Sequence, residues 1–265
     1  MGWNLGKTIL ITGASSGIGE ACARKFVQEG NKLILLARRQ DRLQKLQGEL
    51  TALAKSQGIS CSIVICVLDL NHREDVARVV HSNPDFQNIN ILINNAGLAK
   101  GVDPVQKASF EDWDLMIETN IKSLFFLTNL LLPSLVEQQK VGSSSHIINI
   151  GSVAGRWTYP GGAVYCATKA AVKAFSEGLR MDLHGTGIRV TNIEPGMVET
   201  EFSVVRTGDE DKAKKIYEGM KPLSADDIAE TIFWCANLPA HVNVQEMVVY
   251  PTDQAHVGMV HRRQQ

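Results

Sequence analysis

The chain has 265 residues, enough for one large α/β domain, and its 44% hydrophobic and 21% charged residues are ordinary proportions for a globular protein. Its formal net charge of −1 excludes nucleic acid as the main partner, because no basic excess is available to neutralise phosphates. The most apolar stretch, Leu124 to Val136, is interrupted by polar residues and Pro133 and is too short to span a bilayer. We therefore expect no membrane partner.

The cysteines and the N-terminus indicate the compartment. The five cysteines form no CxxC pair and no cluster with metal-ligand spacing, which predicts free thiols and no metal site. Met1 to Leu5 is followed at once by Lys7 and a strand-like run, without the apolar core of a signal peptide. We therefore expect a cytoplasmic protein.

Short apolar runs alternate with longer amphipathic segments along the chain. The runs predict strands at Thr8–Ile11, Lys32–Ala37, Ser62–Val67, Ile91–Ile93, Ile147–Ile150, Arg189–Ile193 and Met247–Tyr250. The segments predict helices near 17–29, 39–57, 71–82, 109–138, 164–184 and 224–236, with a shorter one near 209–220. Apolar strands separated by helices predict a doubly wound, Rossmann-type parallel sheet of about seven strands with helices on both faces.

No repeat or linker divides this pattern, so residues 1–265 are predicted to form a single domain. The long excursion at about 195–223 directly follows a predicted strand end. Ligands bind at the carboxyl ends of parallel strands, so this excursion is predicted to be a substrate lid.

A glycine-rich turn joins the first predicted strand to the first helix. Glycines in a G-x-x-x-G-x-G pattern permit a tight turn and close approach of a pyrophosphate, and the helix N-terminus offers unpaired N–H groups. We expect this turn to bind a dinucleotide through Gly13, Ser15, Ser16, Gly17, Ile18 and Gly19.

The end of the second strand indicates which dinucleotide. Ala37 stands where an NAD-binding protein would place an acid for the ribose, and Arg38 and Arg39 follow it. Guanidinium groups can fork onto a 2′-phosphate, so NADP(H) is the predicted cofactor. The alternative is that these arginines only begin a basic helix that continues with Arg42 and Lys45.

Two further strand ends contribute candidates. Asp69 and Leu70 could contact the adenine, or Asp69 could cap the next helix. Asn95, Ala96 and Gly97 could let the backbone pass close to a ribose, or form a turn.

Tyr165 and Lys169 carry the predicted chemistry. Residues four apart share one face of a helix, and a neighbouring ammonium lowers the pKa of a tyrosine towards the working range. Such a tyrosine can transfer a proton to or from an alcohol oxygen. Ser152 lies thirteen residues before the tyrosine.

The sequence resembles the short-chain dehydrogenase/reductase family over essentially its whole length. The matching pieces are T-G-A-S-S-G-I-G at 12–19, N-N-A-G at 94–97, Asn120, Ser152, Y-C-A-T-K at 165–169 and P-G at 195–196. The resemblance implies a tetrad in which Ser152 binds the substrate oxygen and Tyr165 transfers its proton. It also implies that Lys169 lowers the tyrosine pKa and holds the nicotinamide ribose, while Asn120 holds a water that links the lysine to solvent. Pro195, Gly196, Val198 and Thr200 would cradle the nicotinamide carboxamide.

A finer resemblance concerns the substrate. The segments 154–160, 198–206 and 251–255 are similar to the branch that acts on serine, allo-threonine, 3-hydroxyisobutyrate and 3-hydroxypropionate, or on the matching semialdehydes. Arginine suits a carboxylate because its fork binds both oxygens. Arg156 and Arg206 are therefore candidate carboxylate ligands, and for each the alternative is a surface salt bridge.

The predicted function is an oxidoreductase that transfers hydride between NADP(H) and a short 3-hydroxy acid, a small-molecule substrate. The alternatives are a broad carbonyl or 3-oxoacyl reductase of the same fold, and a non-catalytic NADP(H)-sensing module. The apolar helices near 109–138 and 164–184 predict a homotetramer, as in similar proteins.

Overall fold

The computed structural model describes residues 6–263 and is built around a seven-stranded parallel sheet in the order β3-β2-β1-β4-β5-β6-β7. The strands are β1 (Thr8–Thr12), β2 (Lys32–Ala37), β3 (Ser62–Val67), β4 (Ile91–Asn94), β5 (His146–Ile150), β6 (Arg189–Pro195) and β7 (Glu246–Val249). Successive side chains on these strands point to opposite faces, so both faces of the sheet are apolar. The predicted doubly wound fold is confirmed.

Helices cover both faces of the sheet. They are α1 (Gly17–Val27), α2 (Gln40–Ser56), α3 (Arg73–Ser82), α4 (Phe110–Ile117), α5 (Ser123–Lys140), α6 (Ala163–Asp182), α7 (Phe202–Thr207), α8 (Glu210–Lys215) and α9 (Ala225–Ala236). Helices α1, α2 and α9 pack on the face that carries Ile9 and Ile11, and α3, α5 and α6 pack on the face that carries Leu10. Each face thus has its own apolar core.

The helix predicted near 109–138 is continuous from Phe110 to Lys140, but a π-helical turn at Glu118–Lys122 separates α4 from α5. Ser109 begins the helix by accepting a hydrogen bond from the Asp112 N–H. By length and composition alone the whole 31-residue helix could cross a membrane, contrary to the expectation from its interrupted apolar stretch. Its Leu127, Leu131 and Leu135 are fully buried in the core beside the sheet.

The C-terminal end differs most from the sequence prediction. Two very short strands, β8 (Gln254–His256) and β9 (Met259–Val260), form an antiparallel pair that the sequence did not predict. The excursion between β6 and α9 contains α7 and α8 and lies above the carboxyl ends of the strands, where it lines the main cavity.

Candidate active site

A cavity of about 530 Å³ opens at the carboxyl ends of the strands. It extends from the glycine turn after β1, past the ends of β2, β4, β5 and β6, to the segment that carries α7. The order of the strands reverses between β1 and β4, and crevices at such switch points are where α/β proteins bind ligands. Its volume lies in the range of small-molecule and cofactor sites.

The glycine turn fits a diphosphate. Gly13 and Gly17 have φ of +64° and +55°, a region that disfavours side chains, and a Cβ on Gly19 would lie 2.5 Å from the carbonyl oxygen of Gly13. Ser16 stands at the N-cap of α1 without accepting a hydrogen bond from the helix, so the first N–H groups of α1 have no side-chain cap. Uncapped N–H groups at a helix N-terminus suit a phosphate.

Asn95 stabilises the glycine turn through hydrogen bonds to its backbone. Its Nδ2 donates to the carbonyl oxygen of Thr12 at 2.9 Å, and the Thr12 hydroxyl accepts from the N–H groups of Asn95 and Ala96 at 3.0 and 2.9 Å. Asn95, Ala96 and Gly97 also line the cavity. Their position suits a ribose, and the Asn95 amide itself braces the glycine turn.

Arg38 and Arg39 lie at the adenosine end of the cavity but have different surroundings. The Arg38 side chain is 62% exposed and has one ion pair, to Asp69 at 3.6 Å. Arg39 donates from Nε and Nη2 to the Ser15 hydroxyl at 3.1 and 2.9 Å and from Nη2 to the Ser16 hydroxyl at 2.6 Å. Arg38 is therefore the more available of the two for a 2′-phosphate.

Asp69 does not cap a helix, because α3 begins four residues later and has His72 at its N-cap position. The Asp69 carboxylate instead accepts from the Asn71 N–H at 3.0 Å and faces Arg38. Asp69 and Leu70 both line the cavity, and their contact with the adenine stays a prediction.

Ser152 and Tyr165 meet in the deeper part of the cavity, where both are buried. Ser152 follows β5, and its hydroxyl accepts from the Ala154 N–H at 3.1 Å. Burial raises the pKa of Tyr165 above its ordinary value, and the Ser152 hydroxyl and the Arg206 charge act in the opposite direction. Burial thus favours the neutral form of this phenol.

Lys169 lies close to Tyr165, and its predicted effect on the tyrosine pKa stays a prediction. Its Nζ lies 5.9 Å from the centre of the Tyr165 ring and donates to the carbonyl oxygen of Ile150 at 2.8 Å. Burial lowers the pKa of Lys169 to about 8, so the ammonium is itself destabilised. Lys169 lines the same cavity and keeps the position predicted for a ribose contact.

Asn120 lies in the π-helical turn between α4 and α5 and is buried. Its Oδ1 accepts from the Leu98 N–H, and its Nδ2 donates to the Leu98 carbonyl oxygen, both at 2.8 Å. A Cβ on Gly97 would lie 3.2 Å from this Oδ1 and 3.6 Å from Lys169 Nζ. A side chain at position 97 would therefore crowd both Asn120 and Lys169.

The segment after β6 lies where a nicotinamide would be held. Pro195, Gly196, Val198 and Thr200 all line the cavity. Gln254 fixes this segment, because its Oε1 accepts from the Met197 N–H at 2.8 Å. A Cβ on Gly196 would lie 2.4 Å from the same Oε1.

Arg156 is not placed to bind substrate. Its guanidinium forms ion pairs with Glu194, which is fully buried, and with Glu246 on β7, and Arg156 does not line the cavity. If Arg156 turned away to bind substrate, the buried carboxylate of Glu194 would lose its partner, which is strongly unfavourable. The structure therefore supports the salt-bridge alternative for Arg156.

Arg206, on α7, reaches the deep part of the cavity. Its guanidinium carbon lies 5.9 Å from the centre of the Tyr165 ring, and its Nη1 donates to the Tyr159 hydroxyl at 2.9 Å. The buried Nε of Arg206 has no hydrogen-bond partner among residues 6–263. No acidic side chain within that range forms an ion pair with this arginine, so its charge is available to an anionic ligand.

The sequence matches the family model for short chain dehydrogenases over residues 7–211. The chain belongs to the short chain dehydrogenase family. It is 47% identical over 259 residues to the NADP-dependent 3-hydroxy acid dehydrogenase of Escherichia coli strain K12, covering 96% of this chain and 99% of the relative. It is 47% identical to sulfoacetaldehyde reductase 2 of Chromohalobacter salexigens, covering 93% and 95% of the two chains. It is 45% identical to serine 3-dehydrogenase of Agrobacterium fabrum, covering 95% and 96%.

A solved structure described as the closed form of serine dehydrogenase complexed with NADP+ superposes with a TM-score of 0.86 at 47% identity, covering 97% of this chain and all of that chain. The structure of serine dehydrogenase from Escherichia coli gives a TM-score of 0.78 at 42% identity, covering 94% and 100%. The predicted family is therefore confirmed.

Three residues of this short chain dehydrogenase that line the cavity had no role in the sequence interpretation. Tyr159 orients Arg206, Glu201 reaches across the cavity mouth to Arg39, and Gln254 fixes the segment after β6. All three stand inside the segments that carry the finer resemblance, so that resemblance was the available signal. Within residues 6–263, no group of three or more His, Cys, Asp or Glu side chains is placed to hold a metal ion.

Proposed function

We propose that the protein transfers hydride between NADP(H) and a short 3-hydroxy acid, or the matching aldehyde acid, with Tyr165 as the proton donor or acceptor. The observation that carries the proposal is the position of Arg206 beside Tyr165 in one cavity. A carboxylate held by this guanidinium places a nearby hydroxyl or carbonyl carbon within reach of the tyrosine.

Each side chain in the site would contribute one physical effect. When bound, the nicotinamide supplies or accepts the hydride. The Ser152 hydroxyl donates to the reacting oxygen and stabilises its charge. Tyr165 gives its proton to that oxygen during reduction and takes it back during oxidation. Lys169 would hold the nicotinamide ribose, and Asn120 would hold a water that links the lysine to solvent.

The names of the relatives support an anionic substrate. A 3-hydroxy acid and serine both carry a carboxylate, and sulfoacetaldehyde carries a sulfonate. Arg206 can fork onto either group, because each offers two acceptor oxygens to its N–H donors. The same names support NADP(H) as the cofactor.

Replacing Arg206 by Met is expected to raise KM about 10- to 100-fold for a carboxylate substrate, the loss of charge-assisted hydrogen bonds worth about 1.5–3 kcal/mol. The KM for a neutral carbonyl compound should change much less. Steady-state kinetics on both substrates measure this, with the exposed Arg78→Met as the matched control. Equal effects on the acidic and the neutral substrate would contradict the carboxylate role.

Replacing Arg38 by Asp is expected to raise KM for NADPH about 10- to 100-fold and to leave KM for NADH nearly unchanged. The physical reason is that the exposed guanidinium binds the 2′-phosphate, which NADH lacks. Kinetics with both cofactors measure the ratio, and Lys45→Asp on the exposed face of α2 is the control. Equal losses for NADPH and NADH would show that Arg38 does not read the phosphate.

The cytoplasmic location and the homotetramer are also proposed. The five cysteines are free, as a reducing compartment would keep them. Helices α5 and α6 pack against each other through the stacked rings of Phe125 and Phe175. Phe110 at the start of α4 and Met181 near the end of α6 are largely exposed, as contacts between subunits would require.

A further inference from the structure

Glu201 links the two sides of the cavity mouth. It immediately precedes α7, on the segment between β6 and α9, and its carboxylate accepts from Arg39 Nη1 at 3.0 Å. It also accepts from Arg42 Nη1 on α2. Arg39 and Glu201 are 162 residues apart in the chain. The ion pairs therefore join the segment that covers the cavity to the helix that follows the adenosine-binding strand.

Arg39 in turn is fixed to the glycine turn. Its Nε and Nη2 are directed to the hydroxyls of Ser15 and Ser16, which leaves Nη1 for Glu201. The Thr200 side chain of the covering segment is close at the same place, because a Cβ on Gly17 would lie 3.4 Å from it. The start of α7 thus sits directly over the N-terminus of α1, where the diphosphate is expected.

Charge explains why two arginines meet one carboxylate here. A lone carboxylate over the phosphates of a dinucleotide would repel them, whereas a carboxylate neutralised by two guanidinium groups does not. The hydrogen bond from Arg42, helped by the one from Arg39, lowers the pKa of Glu201 against the opposing effect of burial, so Glu201 stays ionised near neutral pH.

We propose that Glu201 is a lid latch: its ion pairs to Arg39 and Arg42 hold the segment 195–223 closed over the dinucleotide. Arg39 then acts as a positioning residue whose donors are used within the protein, and Arg38 remains to bind the 2′-phosphate. The latch rests on the proposed function only in that the cavity binds a nicotinamide dinucleotide. It does not read the 2′-phosphate, so it holds NADP+ and NAD+ equally.

The latch is tested by hydrogen–deuterium exchange of α7, followed by mass spectrometry, on the full-length protein without cofactor and with NADP+. Glu201→Gln is expected to speed exchange in residues 202–207 about two- to tenfold, and Arg42→Met to have a smaller effect in the same direction. The double variant should exchange little faster than Glu201→Gln alone, because both substitutions remove the same link. Glu199→Gln is the matched control, since this exposed glutamate on the same segment forms no ion pair within residues 6–263.

Cofactor release provides the second measurement. Stopped-flow fluorescence should show NADP+ and NAD+ leaving Glu201→Gln faster by the same factor, whereas Arg38→Asp speeds NADP+ release alone. The latch would be overturned if Glu201→Gln and Glu199→Gln showed the same exchange rate in residues 202–207 and the same rate of cofactor release. Slower NADP+ release in Glu201→Gln would also overturn it, by showing that the carboxylate competes with the 2′-phosphate. Neither readout needs turnover, so a failure to find a substrate would leave the latch standing.

Discussion

Replacing Tyr165 by Phe is expected to lower kcat about 10²- to 10⁴-fold, the contribution typical of a positioned proton donor or acceptor. The substitution removes one oxygen from a buried ring and leaves the shape of the cavity unchanged. Circular dichroism and the melting temperature should therefore remain close to those of the wild type. Steady-state kinetics in both directions measure the loss, which should fall on kcat far more than on cofactor affinity.

Tyr250→Phe is the matched control for this experiment, because it removes a tyrosine hydroxyl near the same strand ends but outside the cavity lining. It should keep nearly full activity. A Tyr165→Phe enzyme that retains more than about a tenth of the wild-type kcat would exclude Tyr165 as the proton-transfer group.

Replacing Lys169 by Met is expected to abolish most activity and at the same time to stabilise the fold at neutral pH. Burial lowers the pKa of Lys169 from its ordinary value to about 8, so holding the ammonium in the folded state costs about 3 kcal/mol. Methionine has a similar length and no charge to bury. Part of the gain is offset, because the carbonyl oxygen of Ile150 loses its donor.

The pH dependence identifies the cause of the stabilisation. The unfolded lysine keeps its proton up to its ordinary pKa, while the folded lysine loses it above about pH 8. The cost is therefore fully present below pH 8 and is relieved as the pH rises from 8 towards 10. Urea unfolding of the wild type and the variant should show a stability difference that is largest at pH 7 and shrinks above pH 8.

Lys45→Met, at an exposed position on α2, is the control and should change neither activity nor this pH dependence. A Lys169→Met protein that is less stable than the wild type at pH 7 would contradict the buried-ammonium account. A Lys169→Met enzyme with near-normal kcat would contradict its place in the site.

The parts of the site that the sequence predicted are the local ones. The turn at Gly13, Gly17 and Gly19 needs only neighbouring residues to take its shape, and helical spacing alone puts Tyr165 and Lys169 on one face. The alternation of apolar strands and amphipathic helices likewise predicted the order of elements and the parallel sheet.

The parts that the sequence missed depend on distant contacts. The sequence alone does not distinguish Arg156 from Arg206. Only the folded chain shows that Arg156 forms ion pairs with Glu194 and Glu246. The pKa of Tyr165 depends on burial, which lies outside any i, i+4 argument. The strands β8 and β9 have three and two residues, too few for an apolar pattern to predict.

The most direct test of the account is a panel of hydride-transfer assays with the purified full-length protein and both nicotinamide cofactors. The substrates are serine, 3-hydroxyisobutyrate, sulfoacetaldehyde, an acetoacetyl thioester and a neutral diketone, each followed at the absorbance of the reduced nicotinamide. We expect the highest kcat/KM for a small carboxylate or sulfonate substrate with NADP(H), and a strong preference over NAD(H). Higher kcat/KM for the neutral diketone or the thioester, or equal use of NAD(H), would contradict it.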